Sequence, residues 1–288
     1  MYTDFSPSRA GIYGATYNEL IPLVAGAGFA GLDIDINQIP TIDDAAALAE
    51  RFAAAGLRAG IADCPFTWND PEVPEDWTRG VARMDDWCAR ISAAGGWCAY
   101  DHVFPGSNLM TYKENFDFHV ERLKPFCGKL AEHGMVFGLE YIGPETRLAA
   151  FEHVFIQRLD QMLELVNAVG PGCGIAVDVF HHWCGGGEVA DLVQLGNIPL
   201  TCVHLNDARA GVSRAEQLDP QRAMPMESGL VDSPGMLRVL AEIGYDAPVF
   251  IEPFKPHTER LAEAGVEVAV TEAKSWLDKA FNAADLPH

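Results

Sequence analysis

Residues 112–142 read YKENFDFHVERLKPFCGKLAEHGMVFGLEYI and contain one complete helix-to-strand unit. Apolar residues recur at steps of three and four between residues 112 and 133, which predicts an amphipathic helix. Gly134 stands where such a helix ends, and the apolar run 135–142 that follows it predicts a buried strand. A helix that leads directly into an apolar strand is the repeating element of α/β proteins.

The same unit recurs along the whole chain. Thr41 stands at the start of one helical pattern, and Gly56 and Gly244 each stand where a helix ends before a strand. The clearest helical patterns between and after the strands include residues 43–55, 75–94, 112–133, 152–168, 233–243 and 263–282. The predicted strands lie at residues 10–14, 31–36, 57–62, 97–103, 135–142, 173–179, 200–205 and 248–252.

Eight strand-helix units in series favour a parallel sheet, because parallel neighbours need a crossover connection. Eight is also the number of strands that closes a (β/α)8 barrel. A doubly wound open sheet is the alternative, but the turn YGATYNEL at 13–20 lacks the GxGxxG pattern of dinucleotide-binding sheets. No linker or change in composition divides the chain. We therefore predict an α/β protein that folds as a single-domain (β/α)8 TIM barrel over residues 1–288.

The chain carries 41 acidic and 20 basic side chains, a net charge of −21. A surface of this charge repels phosphate backbones and anionic membranes, so neither nucleic acid nor a membrane is a predicted partner. No apolar run of about 18 residues occurs, and the start MYTDFSPSRAG lacks the regions of a secretory signal. The seven cysteines are scattered and contain no CxxC pair, which favours a reducing compartment. We expect a soluble cytoplasmic protein.

The last four predicted strands each end in a residue that can bind a hard metal ion. These residues are separated by 38, 26 and 48 positions, on average close to one eighth of the chain, so each unit places one of them at the barrel mouth. All lie on otherwise apolar strands, where an unpaired charge is costly and a shared cation offsets that cost. Three carboxylates and one imidazole favour Mn²⁺, with Mg²⁺, Co²⁺ or Zn²⁺ as alternatives. The predicted ligands are Glu140, Asp178, His204 and Glu252.

The motifs around these residues resemble those of the xylose isomerase-like TIM-barrel superfamily. The resemblance is to its sugar isomerase/epimerase branch, which includes D-tagatose 3-epimerase and hydroxypyruvate isomerase. It runs in strand order over nearly the whole chain, and it implies that the four predicted ligands bind one divalent ion, usually manganese. The motifs are GLEYIG (138–143), GIAVDVFHHW (174–183), CVHLNDAR (202–209) and VFIEPF (249–254).

The resemblance also implies substrate-binding residues. The family's DxxH motif gives His181, and an arginine that follows the metal-binding histidine gives Arg209 and Arg222 as two candidates. The stretch RAMPMESGLVD (222–232) is similar to the family's RxxPGxGxxD, but Met226 replaces a glycine.

Other residues at predicted strand ends are further candidates. His102 is a substrate contact, a proton shuttle or a structural residue. Asp33 and Asp35 share one face of the second strand, where one of them either reaches the pocket or forms a salt bridge inside the barrel. Asp207 either orients a ligand or pairs with Arg209. The aromatic residues that either enclose a sugar ring or simply pack are Trp68, Trp97, Phe104 and Trp183.

This site predicts proton transfer next to a carbonyl group. A divalent metal is the Lewis acid that stabilises the developing enediolate, while Glu140 and Glu252 exchange protons with carbon from opposite sides of the substrate. We therefore predict a divalent-metal-dependent isomerase or epimerase of a keto-sugar or related polyol ketone. The alternative is a lyase or dehydratase on the same scaffold, of the inosose dehydratase or 3-keto-glycoside-cleaving type, with His102 or His181 as general acid.

Two other function classes are less favoured. An endonuclease on this fold needs additional histidine ligands on the second and third strands, but these strands end in DIDINQ (33–38) and GIADCP (60–65). A protein that keeps its metal only for structure has no need of two apposed glutamates. No glycine-rich loop follows the seventh or eighth strand, which favours an unphosphorylated substrate. The predicted partners are a small sugar or polyol ketone and, by resemblance, further copies of the chain in a dimer or tetramer.

Overall fold

A computed structural model describes residues 1–72 and 74–287 and contains, within them, a closed barrel of eight parallel strands. Each barrel strand pairs with the next, and the first pairs with the eighth, which closes the barrel. The predicted (β/α)8 TIM barrel is confirmed. The barrel strands, first to eighth, are Tyr2–Phe5, Gly31–Ile34, Arg58–Asp63, Cys98–Val103, Val136–Tyr141, Cys173–Asp178, Leu200–Leu205 and Pro248–Ile251.

Helices surround the barrel and connect its strands. In the part of the chain that the structure covers, none of them is long and apolar enough to cross a membrane. The short 3₁₀ helices are Ile36–Gln38, Val189–Leu195 and Arg214–Glu216. The α-helices are Tyr17–Gly26, Ile42–Ala54, Pro74–Val81, Met84–Ala93, Tyr112–Glu132, Glu145–Leu148, Leu159–Val169, Val179–Cys184, Ser233–Glu242, His257–Ala264 and Val266–Ala283.

A cluster of buried side chains fills part of the barrel interior. This cluster consists of Ile61, Cys98, Tyr100, Ala176, Cys202 and Phe250. The last three of these residues each lie two positions before a predicted metal ligand on the same run of chain. Because residues two apart on a strand point to the same face, the ligands Asp178, His204 and Glu252 also point inward. They lie one layer closer to the carboxyl edge, where barrel enzymes place their active sites.

The first predicted strand is wrong. Residues 10–14 form a turn, and the first strand is Tyr2–Phe5. Pro7 has no amide hydrogen to continue the strand ladder, and Ile12 donates its amide to the Pro7 carbonyl at 2.8 Å. Gly11 adopts a left-handed φ of 79°, so the chain turns back instead of extending. The stretch therefore belongs to the loop at the carboxyl edge of the barrel.

Two further predicted helices have different bounds in the structure. The predicted helix 75–94 is two helices, Pro74–Val81 and Met84–Ala93. The predicted helix 263–282 begins at Val266, because Gly265 adopts a left-handed φ of 91° and separates it from the preceding helix.

A two-stranded ribbon lies outside the barrel, where a longer helix had been expected. The predicted helix 152–168 begins only at Leu159, and His153–Val154 pairs with Gly106–Ser107 in an antiparallel ribbon. Gly106 and Ser107 line the barrel mouth, so the ribbon forms part of the wall around the site.

Candidate metal and substrate site

The four predicted metal ligands meet at the carboxyl edge of the barrel. Glu140 lies on the fifth strand, Asp178 ends the sixth, His204 lies on the seventh and Glu252 follows the eighth. Each offers one ligand atom, and these four atoms lie within 4.8 Å of one another. All four side chains are buried. The fold therefore gathers residues from the whole second half of the chain into one metal-ligand group.

The Nδ1 atom of His204 faces all three carboxylates. It lies 3.2 Å from Glu252 Oε2 and 3.4 Å from Glu140 Oε1, and 3.7 Å separates it from Asp178 Oδ2. The other ring nitrogen, Nε2, lies 3.3 Å from Cys202 Sγ. A proton on Nε2 points to this thiol and leaves the Nδ1 lone pair directed at the carboxylates. Nδ1 is therefore the atom of His204 that could bind a metal ion.

Asp178 is held in place by three hydrogen bonds. Its Oδ1 accepts from the His181 backbone amide at 2.9 Å, because Asp178 caps the helix Val179–Cys184. Its Oδ2 accepts from Asn206 Nδ2 at 2.9 Å and from Arg222 Nη1 at 2.6 Å. Burial opposes ionisation, but Arg222 outweighs it, so the pKa of Asp178 lies well below its ordinary value. Asp178 is a fixed, ionised group.

Arg222 is the buried cation of the site. Its Nη1 also lies 3.0 Å from Glu252 Oε2, and its Nη2 contacts His181 Nε2 at 2.8 Å and Asp219 Oδ1 at 2.7 Å. Because a guanidinium only donates, His181 Nε2 is the acceptor of its contact. Burial and the neighbouring arginine lower the pKa of His181. Of the two candidate arginines, the fold brings Arg222 rather than Arg209 to the metal-ligand group.

Arg9 is a second arginine at this site, and no sequence motif predicted it. Its Nε donates to Tyr100 Oη at 2.6 Å and lies 3.2 Å from Glu252 Oε1, and its Nη2 lies 3.4 Å from Asp63 Oδ1. Arg9 thus holds one oxygen of Glu252 and Arg222 holds the other. The signal that could have revealed Arg9 was the position of the first strand, because a strand that ends at residue 5 places residue 9 in a loop at the barrel mouth.

Two arginines and one histidine control the charge of Glu252. Burial opposes ionisation, but His204, Arg222 and Arg9 together bring the pKa of Glu252 down to about 2. Glu140 differs, because neither of its oxygens accepts a hydrogen bond although both are buried. The two glutamates of the group therefore differ in how tightly the protein holds them.

Glu140 and His204 carry buried polar atoms without a hydrogen-bond partner, namely both carboxylate oxygens and Nδ1. An unpartnered buried charge is costly, and the three carboxylates outnumber the two arginines that contact them. The same excess of negative charge overcomes the effect of burial and raises the pKa of His204 well above its ordinary value. The residues present therefore fit a divalent cation, which carboxylate and imidazole ligands bind well.

His102 lies at the end of the fourth strand, as expected, and connects Glu140 with the barrel mouth. Its Nε2 lies 3.3 Å from Glu140 Oε2, its Nδ1 lies 3.2 Å from Asp101 Oδ1, and its side chain is 34% exposed. Trp68 Nε1 donates to Asp101 Oδ2 at 2.8 Å and so orients that carboxylate. Burial opposes protonation, but Glu140 and Asp101 raise the pKa of His102 to about 9.

Arg209 and Trp183 lie away from the metal-ligand group. The Nη1 of Arg209 bonds to Gln221, in a surface groove that Lys255 also lines. Trp183 packs against Arg214, whose guanidinium carbon lies 4.8 Å from the ring centroid. Substrate contact by Arg209 and Trp183 stays a prediction.

Among the other aromatic candidates, Trp68 is fully buried and Trp97 packs against the core, whereas Phe104 is 41% exposed at the barrel mouth.

Asp207 holds the loop 222–232 instead of pairing with Arg209 as one alternative expected. Its carboxylate accepts the backbone amides of Ser228, Gly229 and Val231 at 2.9, 2.7 and 3.0 Å. Met226 stands in this loop where the family has a glycine. It adopts a left-handed φ of 61°, a conformation that glycine adopts more easily, and the turn forms nevertheless. The loop that begins with Arg222 is thereby fixed beside the metal-ligand group.

An open cleft of about 870 Å³ lies beside the metal-ligand group. Its walls come from the loops after the third and fourth strands, and Arg9, Tyr100 and His102 separate it from the ligands. The predicted metal ligands come from the last four strands, whereas most residues of the cleft come from the ends of the third and fourth strands and the loops after them. A molecule that reaches Glu140 and Glu252 therefore has the cleft directly beside it.

The amino-acid sequence of this chain matches that of a known protein family. The sequence profile of the xylose isomerase-like TIM barrel family matches residues 21–279. An inosose isomerase of Bacillus velezensis is 27% identical over 152 residues, which are 52% of this chain and 51% of the relative. An inosose isomerase of Bacillus subtilis is 26% identical over 153 residues, which are 52% of this chain and 51% of the relative. The matched segment spans about half the length of these curated relatives.

Solved structures share the fold over the whole chain. A xylose isomerase domain protein from Alicyclobacillus acidocaldarius superposes with a TM-score of 0.79 at 21% identity and covers 99% of both chains. The IOLI protein with a bound zinc atom gives 0.77 at 18% identity and covers 99% and 98%. A D-psicose 3-epimerase with D-tagatose, from Clostridium cellulolyticum, gives 0.71 at 17% identity and covers 99% of both chains. With its profile match and its closed barrel, this chain belongs to the xylose isomerase-like TIM barrel family.

Proposed function

We propose that this protein is a divalent-metal-dependent isomerase or epimerase of a keto-sugar or related polyol ketone. The observation that carries the proposal is the buried group of three carboxylates and one imidazole, whose ligand atoms lie within 4.8 Å of one another. Relatives named inosose isomerase and a structural neighbour named D-psicose 3-epimerase support this reaction class. We propose Mn²⁺ as the ion, with Mg²⁺, Co²⁺ and Zn²⁺ as alternatives, and the zinc bound to the IOLI protein supports a divalent ion.

Asp178 and His204 act in this proposal as ligands, together with Glu140 and Glu252. A divalent cation held by the four residues supplies Lewis-acid polarisation of the substrate carbonyl, which acidifies the neighbouring C–H bond. Asp178 stays ionised because Arg222, Asn206 and a helix N-terminus hold it.

Glu140 and Glu252 are the proposed proton-transfer groups. The carboxylate of Glu140 has no hydrogen-bond partner, so it is free to take a proton from carbon. Arg9 and Arg222 lie against the two oxygens of Glu252, which orients this carboxylate and makes it the weaker base, so it takes up a proton before it returns one to carbon. Proton return to the same carbon from the opposite face gives an epimer, and return to the adjacent carbon gives the aldose-ketose isomer.

A lyase or dehydratase on the same scaffold is the second candidate, and the position of His102 favours it. The ring of His102 lies between Glu140 and the cleft and is partly exposed, so it can reach a leaving group on the substrate. His181, the other acid considered, is fully buried, and its Nε2 already accepts from Arg222. Both candidates begin with removal of the same proton, and only the products separate them.

The test is proton exchange measured together with metal content. The purified protein is analysed for bound metal by mass spectrometry, then incubated with Mn²⁺ in D2O with ketoses, inososes and 3-keto-glycosides and followed by NMR. We expect bound divalent metal and deuterium at the carbon beside the carbonyl. A labelled epimer or isomer identifies the first candidate, and an enone product identifies the second.

Substitutions separate the roles of the ligands. We expect Glu140→Gln and Glu252→Gln to abolish exchange, and Asp178→Asn mainly to lower the metal content. Glu263→Gln, an exposed glutamate on a peripheral helix, is the matched control. Normal exchange by both active-site glutamine variants, or a protein that neither binds metal nor exchanges any of these protons, contradicts the proposal.

A further inference from the structure

The cleft beside the metal-ligand group is larger than a single sugar ring requires. Clefts of roughly 300 to 1,000 Å³ bury ligands of drug size, and the cleft of about 870 Å³ lies near the upper end of this range. Glu140 and Glu252 are buried beside the cleft, so a keto-sugar ring that approaches them occupies the adjacent end of the cleft and leaves the remainder of this volume to the rest of the ligand. The volume therefore indicates that the substrate extends beyond its reacting ring.

The charges that line the cleft disfavour an anionic extension. Asp63, Asp70 and Glu72 are in the lining. Arg9 is the arginine among the described lining residues, and it already lies against Glu252 and Asp63. A phosphate or carboxylate group of the ligand close to the three lining carboxylates would therefore meet negative potential.

Apolar side chains form one wall of the cleft and remain exposed to solvent. Phe104 is 41% exposed and Leu109 is 60% exposed, and both lie in the loop that follows the fourth strand. Exposed apolar side chains inside a polar cleft are typical of ligand sites, where they pack against the face of a ring. Phe104 provides an aromatic face and Leu109 an aliphatic one.

We infer that the cleft binds the second ring of an uncharged glycoside, whose keto-sugar ring lies at Glu140 and Glu252. The inference rests on the proposed function for the position of the first ring, and it specifies the substrate class. The second ring lies on Phe104 and Leu109, and uncharged polar groups such as Asn69 and Asn108 line the rest of the cleft.

Binding of stable glycosides tests the inference without any turnover. Calorimetry with the full-length protein and Mn²⁺ compares 4-nitrophenyl β-D-glucoside, methyl β-D-glucoside and 4-nitrophenyl β-D-glucuronide. We expect the 4-nitrophenyl glucoside to bind about 10-fold more tightly than the methyl glucoside, because the apolar wall contacts its ring. The glucuronide, which carries a carboxylate, is expected to bind more weakly than the 4-nitrophenyl glucoside.

Variants of the apolar wall locate the second ring. Phe104→Ala and Leu109→Ala are expected to remove the preference for the 4-nitrophenyl glucoside and leave methyl glucoside binding unchanged. Leu230→Ala, an exposed leucine outside the cleft, is the matched control. Equal binding of the two glucosides, no binding of either, or an equal loss in the control variant overturns the inference.

Turnover separates this inference from the proposed function. Deuterium exchange is compared for a free ketose and for the 3-keto derivative of 4-nitrophenyl β-D-glucoside. Exchange that is equally efficient with both, and insensitive to Phe104→Ala, overturns the second-ring site while the proposed function stands. Absence of exchange with every ketone contradicts the proposed function, whereas the binding comparison still decides the second-ring site.

Discussion

Arg222 and Asp178 form a buried ion pair at the barrel mouth, with 2.6 Å between Nη1 and Oδ2. Both side chains are almost completely buried, and the two residues lie 44 positions apart in the chain. A buried pair of this kind contributes less to stability than its short distance suggests, because both groups lose their hydration. Its consequence for the site is that Asp178 remains ionised and points at the position where the four ligand atoms meet.

Removal of Arg222 should therefore destabilise the protein strongly. We expect Arg222→Met to lower the free energy of unfolding by roughly 3–5 kcal/mol, because it leaves buried carboxylates uncompensated. Urea denaturation of the metal-free protein measures this change. Arg209→Met, at the other candidate arginine, should have little effect because the Arg209 guanidinium donates to Gln221 at the surface and contacts no buried carboxylate in the described part of the chain. Equal effects of the two substitutions would contradict the inference that Arg222 compensates the charge of the buried carboxylates.

Cys202 should influence metal affinity although it is not a ligand. Its Sγ lies 3.3 Å from Nε2 of His204 and selects the ring tautomer that directs Nδ1 at the carboxylates. Loss of such a supporting contact typically lowers metal affinity about 10- to 100-fold, and we expect this range for Cys202→Ala. Titration with Mn²⁺ measures it. Cys98→Ala, in the same interior cluster but with its thiol on the Thr201 carbonyl, should bind as the natural protein does.

Loss of Arg9 should lower the rate of the reaction more than it lowers the stability of the fold. Arg9 is partly exposed and holds Glu252 Oε1 through its Nε, so its loss allows Glu252 to rotate away from the substrate. We expect Arg9→Met to lower kcat about 100-fold with a much smaller change in metal affinity, and Arg9→Lys to recover part of the loss. Arg238→Met, on an exposed helix position, serves as the control. A parallel fall in metal content and thermal stability would indicate a structural role instead.

Asp4 and Asp33 form a pair of acidic residues inside the barrel, separate from the predicted metal ligands. Asp4 is buried, and neither of its oxygens accepts a hydrogen bond from an N–H or a neutral hydroxyl group. Both carboxylates lie against Gly60, where an added Cβ would stand 2.5 Å from Asp4 Oδ2 and 2.6 Å from Asp33 Oδ1. Burial and the neighbouring carboxylate raise the pKa of Asp4, and burial raises the pKa of Asp33 to about 6. The pair therefore holds a proton that the unfolded chain releases.

This pair should make the protein less stable as the pH rises. The folded state binds the proton more tightly than the unfolded state, so the contribution is present below pH 4 and is lost as the pH rises through about 6. Asp4→Asn imitates the protonated acid at every pH, so its stability relative to the natural protein should increase from pH 5 to pH 8. Urea denaturation across this range measures the difference. A difference that does not change with pH rules out a shared proton.

Local patterns in the sequence were sufficient to predict the positions of most barrel strands. Seven of the eight strands lie where apolar runs predicted them, and Gly134, with a left-handed φ of 69°, ends its helix before the fifth strand. The first strand was misplaced because YTDF at 2–5 has too few apolar residues to stand out, whereas AGIYG at 10–14 resembles a short strand. Pairing with the second and eighth strands selects the earlier stretch, and this pairing is not a local property.

Residue order alone was enough to predict the barrel and to place four metal-binding residue types at one edge of it, because a charge at the end of an apolar strand is a local feature and parallel strands end at the same edge. Which arginine reaches the site became clear from the folded structure alone, because Arg222 and Arg209 both follow His204 in one long loop. The same holds for Arg9, for the role of Asp207 and for the Asp4–Asp33 pair. Each of these depends on contacts between distant segments, and such contacts are set by the path of the loops and the packing of the barrel rather than by residue order.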